Sequence, residues 1–170
     1  MHSSQHLTIA TTGDNILTLK AAPVTVFDDE LAVLASNMLL TMQKANGVGI
    51  AATQVFSNTA MFIMASNPNE RYPDAPIMEP TVVINPKILS VSTETENGIE
   101  GCLSVPGKRL NIVRHRQIEV QYQSLNGQIH HQVLQGFVAR IFQHEYDHLQ
   151  GITLLERINL MTPPIEVLPC

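Results

Sequence analysis

Residues 144 to 148 read His-Glu-Tyr-Asp-His. On an α-helix, residues four apart stack on one face, so His144 and His148 can offer imidazoles to one metal ion. Glu145 leans towards the same ion, where a carboxylate can move protons during a hydrolysis. Surface helices also carry two histidines at this spacing by chance, so the motif needs a positioning helix and a third ligand. The flanks supply the helix: Gly136 precedes an apolar-periodic run of Phe137, Val138, Ile141 and Phe142, and Gly151 stands where a C-terminal stop belongs.

A catalytic metal takes three protein ligands and keeps one position open. Cys102, Asp147 and the remaining histidines are candidates for the third. Asp147 is next to His148 in sequence, which turns it off the ligating face and suits it to orienting a ligand or capping the helix end. Cys102 lies in Glu100-Gly101-Cys102-Leu103-Ser104-Val105-Pro106, with a glycine where the backbone must bend and a thiol shielded among apolar neighbours. A free cysteine serves equally well as a small buried hydrophobe. His115, His130 and His131 fall at strand or turn positions and are read as non-functional.

The elements that would carry these residues are partly legible. Residues 28–45 read as a helix with Leu31, Leu34, Met38, Leu39 and Met42 near one face and acidic residues at its start. Gly47 to Gln54 is small and apolar, a shape suited to close backbone approach. Residues 59–65 read as a strand and 66–80 as a polar loop with four prolines. Residues 81–84 read as a second strand cut short by Pro86, with a third at 87–91. The Asn126-Gly127 pair predicts a hairpin between 118–123 and 128–134. Strands interspersed with two long helices predict an α+β fold in one catalytic domain spanning residues 1–170.

Three segments together closely resemble the peptide deformylase family: Gly47-Val48-Gly49-Ile50-Ala51-Ala52-Thr53-Gln54, Glu100-Gly101-Cys102-Leu103-Ser104 and His144-Glu145-Tyr146-Asp147-His148, in the family's order. The soft departure is Tyr146 at an apolar position. The resemblance implies a small α+β domain with antiparallel or mixed sheets around the helix of the third segment. It implies metal ligation by Cys102, His144 and His148, acid/base work by Glu145, and contacts from the Gln54 side chain and the Leu103 backbone N–H to the reacting oxygen. The implied activity is removal of the formyl group from N-formylmethionyl chains. The implied ion is iron(II), with zinc, nickel or cobalt able to substitute.

The chemistry follows from the donor set. A divalent ion with one thiolate and two neutral imidazoles lowers the pKa of a bound water, and the resulting hydroxide attacks the formyl carbon. Glu145 takes the proton and returns it to the amine. Gly47 and Gly49 would let an extended peptide lie against the chain, with Val48, Ile50, Phe137 and Ile141 walling an apolar pocket. Arg140, one turn before His144, is expected at that pocket's mouth in contact with substrate, and Glu100 is expected to pair with Arg114.

Composition bounds the alternatives. A net charge of −5 over 170 residues gives no basic footprint for nucleic acid, and no run of about 18 apolar residues suggests a membrane span. The polar start points to the cytoplasm, where Cys102 and Cys170 are expected to stay unpaired, and the small size and self-contained motifs point to a monomer. Pro163-Pro164 argues against a long terminal helix. A peptidase with the same His-Glu helix would take its third ligand downstream, where little chain remains. A binding module without activity would be expected to have lost Gln54, Cys102 or Glu145.

Overall fold

The computed structural model describes residues 3–161, so Pro163, Pro164 and Cys170 lie outside the described residues. Helix α1 (Asp29–Lys44) starts where Asp28 accepts the Leu31 N–H at 3.0 Å. That cap and the acidic first turn suit the positive end of the helix. Its apolar stripe, Leu31, Ala35, Met38 and Met42, packs on Ile50, Met61, Ile63 and Ile84.

The strands form two antiparallel sheets. The larger runs in the order β1 (Gly49–Ala51), β2 (Met61–Ser66), β3 (Met78–Val91), β6 (Gln117–Gln123) and β7 (Ile129–Gln135). The smaller pairs β4 (Thr95–Cys102) with β5 (Val105–His115). Helix α2 (Gly136–Leu149) packs against strands of both, with Phe142 and Ile141 among Phe62, Met64, Ile118 and Val120. Gly151, at a φ of +75°, ends that helix. Helix α3 (Leu154–Met161) then covers the small sheet. The architecture is thus α+β, with α2 at the centre of two antiparallel sheets.

One expectation is corrected. Pro86 does not cut a strand: β3 continues through it because the register jumps from Ile84–Gln123 to Lys87–Gln121, leaving Asn85 and Pro86 in a bulge. Asn85 sits at a φ of +50° and its amide is held by both polar groups of Val24 at 2.8 Å, so the missing proline N–H breaks no ladder bond. Strands β4 and β5 were not legible, since Gly98, Gly101 and their charged neighbours blur any alternation. Gly101 lies near the end of strand β4, at the irregularity where pairing with β5 jumps from Arg109 to Val105. No helix among the described residues is long and apolar enough to cross a membrane.

Candidate active site

Three elements converge on one cavity that is open to solvent. The segment leading into β1 brings Gly47, Val48 and Gly49. The end of β4 brings Cys102, and the turn after it brings Leu103. Helix α2 brings Phe137, Arg140, Ile141, His144 and Glu145.

Cys102, His144 and His148 place one ligand atom each within 4.8 Å of one another. The Cys102 Sγ to His148 Nε2 separation is 3.3 Å. Bond lengths of about 2.3 Å to sulfur and 2.0–2.1 Å to nitrogen put tetrahedral ligands roughly 3.5 Å apart, so the set fits a transition-metal ion. Burial would raise the Cys102 thiol, but the imidazoles of His148 and His144 more than offset it and hold the thiol well below its ordinary range. The thiolate is the ligating form. The Nδ1–H of His144 donates to Glu100 Oε2 at 2.9 Å, which leaves Nε2 for an ion and fixes the ring.

Glu100 is the hub of a buried network. Its Oε1 accepts from Arg114 Nε and from Arg140 Nη1, both at 2.9 Å, and its Oε2 accepts from Arg114 Nη2 at 3.0 Å. Burial alone would raise this carboxyl; the His144 hydrogen bond and the Arg114 guanidinium outweigh it and hold the group well below the usual carboxylate range. Arg114 also donates to Asp147 at 2.6 Å, and Asp147 accepts from Arg157 of α3 at 2.9 Å. The expected Glu100–Arg114 pair is therefore present and buried.

Glu145 is 4% exposed and its Oε2 has no hydrogen-bond partner among the described residues. Burial pushes its carboxyl up to about 7, against the pull of His144 and His148. A carboxyl near 7 is poised to exchange protons at neutral pH. Gly49 lies directly against it, and an added Cβ there would overlap the Glu145 side chain. Gly49→Ala should therefore fold, because the Glu145 side chain from Cγ outward rather than any backbone must move, yet lose about 10²-fold in turnover through the displaced carboxylate. Thermal melting beside a kinetic assay checks this; unaltered turnover would mean the close approach is unimportant.

Gln54 is fixed from both ends. Its Oε1 accepts the Ala51 N–H at 2.9 Å, and its Nε2 donates to Ser104 Oγ at 3.0 Å and to Cys102 Sγ at 3.6 Å. The long contact to sulfur is the weaker of the two, so the amide has an N–H to give to a substrate oxygen beside Cys102. Ser104 was legible only as part of a motif, with no hint that it orients Gln54.

Two site expectations change. Ile50 does not line the cavity: it is fully buried against Leu31, Met38 and Met42, because alternation along β1 sends it to the opposite side from Gly49. Arg140 does line it, but its guanidinium is buried, donating to Glu100, to Ile112 O at 2.8 Å and to Glu96 O at 2.7 Å. It fits there because Gly98 has no side chain; a Cβ would lie 2.7 Å from Arg140 Cζ. The sequence reading missed Arg71 and Tyr72 of the 66–80 loop, both on the cavity wall. Tyr72 packs against Phe137 with ring centroids 5.1 Å apart, and its hydroxyl accepts the Gly101 N–H at 3.2 Å.

The family sequence model described as polypeptide deformylase matches residues 6–163. Peptide deformylase 2 of Shewanella oneidensis is 62% identical over 154 residues, 91% of this chain and 85% of that protein. Peptide deformylase 2 of Nostoc sp. is 50% identical over 154 residues, 90% of this chain and 86% of that protein. Among solved structures, a Met-Ala-Ser-bound class I type b peptide deformylase from Acinetobacter baumannii aligns with a TM-score of 0.89 at 48% identity, covering 91% of this chain and 99% of that one. Peptide deformylase from Thermotoga maritima aligns with a TM-score of 0.80 at 38% identity, covering 92% and 98%.

Proposed function

Since this chain belongs to the polypeptide deformylase family, we propose that it hydrolyses the N-terminal formyl group of formylmethionyl polypeptides with a metal ion held by Cys102, His144 and His148. The observation that carries the reading is the convergence of those three donors beside the buried Glu145 carboxylate, with Cys102, His144 and Glu145 lining one cavity. When bound, a divalent ion there supplies positive charge that makes a water acidic near neutral pH and polarises the formyl oxygen. The thiolate and imidazoles suit iron(II), zinc, cobalt or nickel over magnesium or calcium. Iron(II) is taken from the family resemblance.

The chain's own groups then have defined tasks. Glu145 accepts the proton of the attacking water and returns it to the departing amine, which leaves poorly without one. The Gln54 amide and the Leu103 backbone N–H donate to the formyl oxygen as its charge grows, each the kind of donor whose loss costs roughly 10²–10³ in rate. Val48, Phe137 and Ile141 take the methionine side chain, in the cavity that Arg140 and Glu100 also line. Gly47, Gly49 and the adjoining backbone leave room for the peptide to run extended along the strand edge. Met-Ala-Ser, carried by the Acinetobacter relative, is what remains when formyl-Met-Ala-Ser loses its formyl group. The reading treats the chain as one catalytic domain, working as a monomer in the cytoplasm where nascent chains are made.

Formate release from formyl-Met-Ala-Ser by protein prepared anaerobically with iron(II) tests it. Release that stops on chelation, with internal peptide bonds left intact, is the expected result. Stoichiometric metal without formate release from any formyl peptide would overturn it.

A further inference from the structure

Helix α3 contributes nothing to the cavity wall, yet it bears on all three metal donors. Leu154, at its start, is buried in a cluster with Cys102, Val105 and Ile112, so the helix backs the thiol. Further along, Arg157 reaches Asp147, which adjoins His148 on α2. Arg157 Nε donates to Asp147 Oδ2 at 2.9 Å, and its Nη2 donates to Oδ1. Two bonds from one planar guanidinium to two oxygens fix a carboxylate in both place and rotation.

Asp147 passes that constraint inward. Its Oδ2 also accepts from Arg114 Nη1 at 2.6 Å, and Arg114 turns Nε and Nη2 to the two oxygens of Glu100. Glu100 Oε2 in turn accepts the Nδ1–H of His144. An unbroken run of charge-assisted hydrogen bonds thus joins α3 to one imidazole, while the backbone joins Asp147 to the other. Asp147, Arg114 and Glu100 are buried, whereas the Arg157 side chain is 27% exposed. Arg157 is therefore the member of the run that solvent reaches. Without it, Asp147 Oδ1 would have no partner among the described residues, and the carboxylate could turn away from Arg114.

We infer that Arg157 is a positioning residue for the metal centre. By gripping both oxygens of Asp147 it sets, through Arg114 and Glu100, how His144 and His148 present themselves to the ion. The inference rests on the proposed metal centre and extends it to a helix outside the three sequence motifs. Removing the direct partner of a ligating histidine costs roughly 10–100-fold in metal affinity. Arg157 lies three residues further out along the run, so its loss should cost about three- to tenfold.

Competition between zinc-loaded protein and a chromophoric chelator tests this. Arg157→Met keeps most of the side-chain length without the charge and should hold zinc about three- to tenfold less tightly. Arg157→Lys keeps the charge but not the fork, and should fall between that variant and the parent. Asn159→Gly, at an exposed position of the same helix, separates positioning from stability. It should lower the melting temperature and leave zinc affinity unchanged. In an Asp147→Asn background, where the carboxylate charge is already gone, Arg157→Met should weaken zinc less than about twofold further. Zinc held as tightly by Arg157→Met as by the parent would overturn the inference. An equal loss in Asn159→Gly would also overturn it, since any loosening of α3 would then suffice. A parent that binds no zinc would bring down the metal centre and this inference together. Formate release is read separately: its absence from every formyl peptide would bring down the deformylase reading, while the zinc affinities still decide the role of Arg157.

Discussion

Replacing Glu145 by alanine should lower formate release by about 10²–10⁴-fold while leaving the metal content of the protein unaltered, since its carboxylate is not one of the three clustered donors. The carboxyl is buried, one of its oxygens has no partner, and burial pushes it up to about 7. None of these features favours the folded state. A buried acid with an unsatisfied oxygen costs stability, and its presence makes sense as a proton carrier facing the formyl-binding space. Glu145→Ala should therefore melt no lower than the parent, and Glu145→Gln should lose activity to a similar degree despite its matched shape. Metal analysis, a melting curve and the formate assay on one preparation decide the matter. Turnover within tenfold of the parent would remove Glu145 from the chemistry, whatever its surroundings suggest.

Helix α2 and the β6–β7 hairpin were legible because their signals are local. Apolar residues recur at helical spacing after Gly136, and Asn126-Gly127 supplies the turn, with Gly127 at a φ of +80°. The smaller sheet was not legible for the opposite reason. The alternation in β4 is broken by glycines whose purpose lies elsewhere in the chain: Gly98 makes room for Arg140, and Gly101 for Arg71. Neither partner is near in sequence, so no local pattern announces the strand. The same holds for Ile50, whose side of β1 is decided by α1 and β2 rather than by its own neighbours. Within the site, residues bound to a motif spacing were readable as candidates. What Tyr72 does for Gly101, and what Ser104 does for Gln54, depends on contacts 29 and 50 residues apart.

Glu100 is where fold and chemistry depend on one carboxylate, and Glu100→Ala should cost both. Arg114 and Arg140 are 5% and 8% exposed, and the substitution would leave Arg140 with backbone oxygens alone and Arg114 with Asp147 alone. Breaking a buried pair by removing one partner costs about 3–5 kcal/mol, which for a chain of this size lowers the melting temperature by roughly 6–20 °C. Glu100→Gln keeps the volume and isolates the charge. Its penalty should depend on pH in a set direction. The folded-state carboxyl is held well below the usual range, so its contribution is complete above the ordinary value of about 4.3 and fades as pH falls below that. The stability gap between parent and Glu100→Gln, measured by denaturant unfolding, should accordingly be widest at neutral pH and close on acidification. A gap independent of pH from neutrality down to about 3 would show that shape, not charge, is what Glu100 provides. The same variant should also hold metal less tightly in a chelator competition, by roughly 10–100-fold, because one amide oxygen cannot accept from both the guanidiniums and the His144 Nδ1–H. Loss of stability without loss of metal affinity would mean that His144 is oriented by its helix alone and that the network serves the fold.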